Sequence, residues 1–313
     1  MPEAQRPIVA GVDGSANGDR ALDWAVLLAA RARRPLRVVH VPEPGLLARL
    51  GLPPREESTE RLAQAARALV DDRVARARQV DADLDVRGEV LAGSRDRLLE
   101  RESRHAHLMV VGSHGYGGVE SLVTGSATAH LVLRASCPVV VVPEGASAAA
   151  VSRVAVGTDT SRASHPAVDL AFALARLWQA RLRVVLAWEP SVFAWPEERG
   201  GPWPADQAPS PEQARDRVSR LLAARRAEYP DVPVEQEVVP GAAVPVLVAE
   251  SNRADLLVVG SQGHGHGIME TLKDLGSVSR GVLRYARCPV AVVPARPREQ
   301  GTSSGRSTTP RTG

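Results

Sequence analysis

The sequence predicts an α/β architecture: two tandem doubly wound, Rossmann-like domains, each a five-stranded parallel sheet flanked by helices. Three observations predict it. The chain has 313 residues, and single domains typically fall at roughly 100 to 200. It repeats itself at a long interval. Within each copy, short Val-rich runs alternate with longer segments of helical periodicity.

The repeat organises everything else. Ile8 to Asp13 (IVAGVD) recurs as Val154 to Asp159 (VAVGTD), and Arg37-Val-Val-His40 as Arg183-Val-Val-Leu186, both at an offset of 146. Leu108 to Gly115 (LMVVGSHG) recurs as Leu256 to Gly263 (LLVVGSQG) at 148, and Cys137 to Pro143 (CPVVVVP) as Cys288 to Pro294 (CPVAVVP) at 151. The growing offset marks small insertions in a duplicated unit, too long for a solenoid, so each copy should own a core.

In the first copy, residues 7–12, 35–41, 84–90, 107–112 and 138–142 are brief, β-branched and bounded by Pro, Gly or Asp, which predicts strands. Residues 17–33, 57–80, 94–105 and 126–135 are Ala-, Leu- and Arg-rich with apolar residues on one face, which predicts helices. Strands apolar throughout imply a parallel sheet covered on both sides. The second copy predicts strands near 153–158, 182–188, 234–239, 255–260 and 289–293. The expected domains are 1–143 and 153–295, with a small-residue linker at 144–152 and a tail at 296–313 too polar to pack. Two excursions, 42–57 and 190–211, follow the second strand of each copy. The latter carries Trp195 and Trp203 and reads either as a cover for a site or partner, or as a Trp-anchored surface loop.

Composition narrows the function. The net charge of +3 and pI of 9.3 arise from four arginines and one glutamate beyond residue 294, so the rest of the chain is neutral and no nucleic-acid footprint is expected. No run approaches the ~20 apolar residues of a membrane span. The start of the chain is polar and lacks an export signal, so a cytoplasmic protein is expected. Cys137 and Cys288 sit in equivalent contexts and read as small reduced thiols rather than a disulfide framework. His264 and His266 lack neighbouring Cys or carboxylates at ligand spacing and read as a solvated loop.

In an open parallel sheet, ligands bind beyond the carboxyl ends of strands where the strand order reverses. In the first copy that edge should collect Asp13, Gly112 and Gly115 after the fourth strand, and Gly125 with Ser126 opening the last helix. Glycines at 112, 115 and 125 would let the backbone approach a ligand and adopt positive φ, with Ser126 as N-cap of a helix whose dipole favours phosphate. Gly-rich turns after strands also arise for topological reasons alone. The residues by themselves point to a phosphorylated nucleotide and nothing finer.

The full spacing Gly112-x2-Gly115-x9-Gly125-Ser126 resembles the nucleotide-binding motif of the ATP-binding universal stress proteins. The resemblance runs over both copies, about 290 of the 313 residues, including Gly11-Val-Asp13-Gly-Ser15 and Cys137 to Pro143. It implies ATP with a divalent ion such as Mg. Asp13 and Val41 would contact the adenosine end, Val111, Gly112 and Gly115 would line the loop, Gly125, Ser126 and Ala127 would hold the phosphates, and Gly11 is counted with the binding residues. The corresponding second set is Gly157, Asp159, Ala187, Val259, Gly260, Gly263, Gly276, Ser277 and Val278, but twelve residues separate Gly263 from Gly276 where the motif has nine. The insertion leaves that site either usable or displaced at its phosphate end. There is no Gly-Lys-Ser/Thr or Gly-x-Ser-x-Gly motif, so the expectation is a nucleotide-dependent stress-response regulator without strong catalysis. The alternative is a slow ATP-hydrolysing or phosphoryl- or adenylyl-transferring enzyme. The resemblance also implies self-association through the final strands, Val139 to Val142 and Val290 to Val293, as an internal pseudo-dimer that could dimerise again, and a protein partner of unknown kind.

Overall fold

Brief Val-rich segments have little room to bury apolar side chains except by pairing on both sides, and the strands do so. In the computed structural model, residues 6–42, 56–113, 126–146, 150–189, 210–262 and 275–295 are described. The first half contains β1 (Ile8–Val12), α1 (Ala16–Ala32), β2 (Leu36–His40), α2 (Glu56–Val80), β3 (Val86–Val90), α3 (Arg95–Ser103), β4 (Leu108–Gly112), α4 (Ser126–Arg134) and β5 (Val139–Val142). The second contains β6 (Arg153–Gly157), a 3-10 turn (Arg162–Ser164), α5 (His165–Trp178), β7 (Arg181–Trp188), α6 (Pro211–Glu228), β8 (Val234–Pro240), α7 (Ala243–Ser251), β9 (Leu256–Gly260), α8 (Ser277–Tyr285) and β10 (Val290–Val293).

These strands form one sheet of ten, in the order β3-β2-β1-β4-β5-β10-β9-β6-β7-β8. Pairing is parallel within each half and antiparallel only at the centre, where Val141 faces Val290, Val140 faces Ala291 and Val139 faces Val292. The pairing has a plain cause. Each of the eight residues in β5 and β10 is buried, at most 5% exposed, and an edge strand apolar on both faces is a template for association unless it is covered. The strands cover each other within one chain, leaving β3 and β8 as the edges.

Side chains alternate across the sheet with the period of two that extended backbone imposes. Ile8, Ala10, Leu108, Val110, Val140, Val142 and Ala291 pack on one face with Trp24, Val70, Phe172 and Leu222 of α1, α2, α5 and α6. Val9, Met109, Val111, Val139, Val141 and Val290 pack on the other with Leu99, Leu131, Leu247 and Val282 of α3, α4, α7 and α8. Both clusters run through the seam and contain residues of both copies. Across the seam Arg31 of α1 donates from Nε to the Leu177 carbonyl at 2.9 Å and lies 5.0 Å over the Trp178 ring of α5.

Among the described residues no helix is long and apolar enough to cross a membrane. Gly115, Gly125, Gly263, His114, His264 and His266 lie outside the described residues, as do most of both excursions and the tail from residue 296.

Candidate functional site

The strand order reverses between β1 and β4 in the first half and between β6 and β9 in the second. Strands on either side of such a point send their crossovers to opposite faces, which opens a crevice at the carboxyl ends. The candidate residues gather there.

In the first half, β1 ends at Val12 and the chain turns through Gly14, which adopts φ +85°. Asp13 shapes this turn, because its Oδ1 accepts from the Ser15 backbone N–H at 3.0 Å and from the Ser15 hydroxyl at 2.6 Å. The Ser15 oxygen in turn accepts from Gly18 N–H at 3.0 Å, capping α1. A Cβ at Gly18 would stand 2.6 Å from Asp13 Oδ1, so glycine is what lets the carboxylate sit over the helix start. His40, at the end of β2 and 8% exposed, fixes its ring with Nδ1 2.8 Å from the Val12 carbonyl oxygen. Val41 follows, buried beside the same edge.

At the end of β4, Gly112 is needed, but for a reason the sequence did not disclose. Its φ is not positive. A Cβ there would meet Asn17 Nδ2 at 2.8 Å and the Asn17 carbonyl carbon at 3.2 Å, so the room left by glycine is taken by α1 rather than held open for a ligand. Asn17 is 6% exposed and donates from Nδ2 to Ser113 Oγ at 3.2 Å. Gly11 is likewise closed in, with Val111 Cγ1 3.0 Å from where its Cβ would be. The helix α4 begins at Ser126 itself, and its third residue, Thr128, donates its hydroxyl to the Gly112 carbonyl at 2.9 Å. That bond ties the described start of α4 to the end of β4, so the backbone of Ser126, Ala127 and Thr128 lies beside the crevice.

The second half repeats the frame with altered fittings. Asp159 Oδ1 accepts from the Ser161 N–H at 3.0 Å and its hydroxyl at 2.7 Å, as Asp13 does with Ser15. Ser279 donates to the Gly260 carbonyl at 2.5 Å, as Thr128 does to Gly112. Thr160 stands where Gly14 does and keeps the left-handed turn at φ +63°, a conformation costly for a β-branched residue. Ala163 and Ser164 replace Asn17 and Gly18, and the helix start tightens into a 3-10 turn in which the Thr158 and Ser164 hydroxyls lie 2.9 Å apart. The N-cap of α8 is Gly276, so the helix starts at Ser277, one residue earlier than it would with the serine as N-cap. The Gly276 N–H donates to the Ser261 carbonyl at 2.9 Å, closing residues 261–262 onto the helix start. Gly157 is packed against Leu247, whose Cδ1 lies 2.7 Å from its would-be Cβ. Val111 and Val259 are buried apolar walls, and Ala127, Ala187 and Val278 are partly exposed around the same edges.

Asn17, Ser113, His40 and the pair Thr128 and Ser279 belong to these edges and escaped the sequence reading. The last pair carried a signal, since a hydroxyl residue stands two positions after the Gly-Ser pair in both copies. Among the described residues no three His, Cys, Asp or Glu side chains cluster as a metal site.

Comparison with known proteins bears on this architecture. The model of the Universal stress protein family matches residues 5–143 and again 151–294. Two universal stress proteins of Mycobacterium tuberculosis are similar along almost their whole lengths. One is 34% identical over 301 residues, covering 93% of this chain and 98% of the relative, and the other is 32% identical over 292 residues, covering 91% and 95%. Among solved structures, a universal stress protein from Archaeoglobus fulgidus shares the fold with a TM-score of 0.66 at 17% identity, covering 93% of this chain and 97% of that one. With the family pattern matched twice and both halves joined at their final strands, the chain belongs to the universal stress protein family as a tandem of two family units.

Proposed function

We propose that this protein is an adenine-nucleotide-binding stress-response regulator whose principal site is the carboxyl edge of β1 and β4 in the first half, and that it works as a switch rather than as an efficient catalyst. The observation that carries the reading is the Thr128 to Gly112 hydrogen bond, which docks the start of α4 against the reversal of strand order beside the Asp13 turn. A helix start with free N–H groups is a ready site for phosphate. Asp13, Gly11 and Val41 would face the nucleoside, with Val111 and Gly112 between. Gly115 and Gly125, outside the described residues, complete the motif.

The donor set fits ATP: hydroxyls and backbone N–H groups at the phosphate end, and the buried apolar wall of Val41 and Val111 at the other. A divalent ion fits only as one carried in on the phosphates, since the described residues supply no ligand cluster of their own and Mg is characteristically held through one or two carboxylates plus substrate phosphates. When bound, ATP would supply a polyanion whose presence or absence sets the position of the segments around the helix start, which a protein partner could read. The second copy carries three extra residues between Gly263 and Gly276, so the first half, with its spacing intact, is the principal site.

The experiment is calorimetric titration with Mg-ATP of the full chain and of Ser126→Asp, with turnover followed in parallel. An acidic residue in the first turn suits the helix dipole, so the variant should fold at least as well, yet its charge opposes a phosphate. Saturable binding lost in Ser126→Asp, with negligible product, supports the switch. Binding indifferent to Ser126→Asp, or rapid turnover abolished by Asp13→Ala, rejects it.

A further inference from the structure

At the opposite end of the sheet from the nucleotide edge, the first residues of β6 and β7 open onto a cavity of about 240 Å³. Arg153, Arg181, Arg183 and Arg253 line it together with Glu235 and Glu250. The internal repeat separates what the fold needs from what has been added. Arg183 is bound by three carboxylates: Glu250 at 2.8 Å, Glu235 at 3.6 Å, and Glu237. Arg37 does the same in the first half with Glu102 at 2.8 Å and with Glu89. Glu102 and Glu250 are each 4% exposed. That network is common to both copies and is structural.

The other arginines are not shared. Pro7 stands where Arg153 does, with His107 N–H bonded to the Pro7 carbonyl as Asp255 N–H is to that of Arg153. At the offset of 146 Pro35 answers to Arg181, and at that of 148 His105 answers to Arg253. Arg153 and Arg181 are register partners on adjacent parallel strands, so their side chains leave the same face one strand spacing apart. Like charges in that relation repel. Among the described residues neither guanidinium has a carboxylate partner. Arg253 approaches Glu250 only at 3.7 Å, and that carboxylate is already held by Arg183. The lining thus retains positive charge after its own ion pairs are counted, around a space larger than a bare ion needs.

We propose that this cavity is a second, nucleotide-independent site for a tetrahedral oxyanion, the phosphate of a phosphate monoester or free phosphate, held between Arg153, Arg181 and Arg253, with Arg183 fixed by its carboxylates as the rigid wall. Guanidinium forks match such oxygens in pairs, and a shared anion turns the repulsion of Arg153 and Arg181 into attraction. The site exists only in the second half, because the first has prolines in its place.

The test titrates the full chain with inorganic phosphate, and separately with glycerol 3-phosphate, at ionic strength held constant with sodium chloride, following arginine Nε–H resonances by NMR. The same titrations on Ser126→Asp remove any phosphate bound at the nucleotide edge. Saturable shifts are expected in both chains, weakened at least about ten-fold in Arg153→Gln/Arg181→Gln. Tighter binding of glycerol 3-phosphate would mark the ligand as a monoester and equal binding as free phosphate, and either supports the site. Without phosphate the double variant should melt at or above the parent, relieved of its like-charge pair, whereas phosphate should raise the Tm of the parent alone. Absence of saturation, binding unchanged in the double variant, binding lost in Ser126→Asp alone, or a double variant that melts well below the parent without phosphate would each overturn the proposal.

Discussion

Adding one methyl group at the end of β4 probes the candidate site more sharply than any deletion. In Gly112→Ala the new Cβ would lie 2.8 Å from Asn17 Nδ2 and 3.2 Å from both the carbonyl carbon and Cγ of Asn17. The amide can swing aside, at the loss of its bond to Ser113, but the carbonyl carbon belongs to the first turn of α1 and moves only with the helix. Overpacking of this kind costs roughly 1–3 kcal/mol. Against it, replacing glycine stiffens the unfolded chain and returns about 0.4–1 kcal/mol. The net expectation is a loss of about 1.3 kcal/mol from the middle of the two ranges. The matching change Gly260→Ala is the control, because its Cβ meets nothing nearer than the Gln262 carbonyl oxygen at 3.2 Å, with the Ala163 oxygen at 3.6 Å and Ser164 Cα at 3.9 Å. It should be close to neutral. Urea unfolding of both variants supplies the numbers, and Asn17→Ala combined with Gly112→Ala should recover part of the loss through coupling of the two sites. Equal stability of the two single variants, or additivity in the double, would refute a wedge formed by Asn17.

Three further expectations follow from the same geometry. Burial pushes the thiols of Cys137 and Cys288 from 9.0 up to about 12, so neither should react with a thiol reagent at pH 8 in the native chain and both should react once it is unfolded. Burial, and after it the Arg225 charge, hold His165 below its usual 6.5. As the pH falls through 6.5 the unfolded chain takes up a proton that the folded chain resists, so stability present above that pH is lost toward the lower folded value, and His165→Gln should flatten that part of a stability-versus-pH curve. Arg183→Met would leave the Glu250 carboxylate, 4% exposed, without its main partner, for a loss of about 3 kcal/mol in denaturant midpoint measurements, the low end for a broken buried pair because Arg183 itself is partly exposed. Arg183→Met with Glu250→Leu should restore most of it.

The strands were legible in the sequence because Val-rich runs of four to eight residues admit little else, and every one lies within two residues of its expected bounds. The union of both copies into one sheet was not readable from periodicity. It came from the family resemblance, since a four-residue apolar strand looks the same whether its edge meets another chain or its own repeat. Gly112 reads in the sequence as room for a ligand, whereas a Cβ there would meet Asn17 of α1: a sequence shows that a Cβ is missing, not what lies against the gap. Asn17 stayed hidden because a polar residue two positions into a helix ordinarily faces water, whereas here it is turned against β4. Glu102 and Glu250 were hidden likewise, as carboxylates near the ends of short helices whose burial goes with Arg37 and Arg183 pairing to them from the sheet. Arg153 and Arg181 are far apart in sequence, and only the strand register sets them side by side.

The central claim is that nucleotide binding belongs first to the edge of β1, β4 and α4, where the motif spacing is intact, whereas the second copy carries three extra residues between Gly263 and Gly276. Native mass spectrometry of the intact chain with Mg-ATP tests it directly. One nucleotide per chain is expected, retained in Ser277→Asp and absent in Ser126→Asp. A chain that carries none, or one whose nucleotide survives Ser126→Asp and disappears in Ser277→Asp, would contradict it.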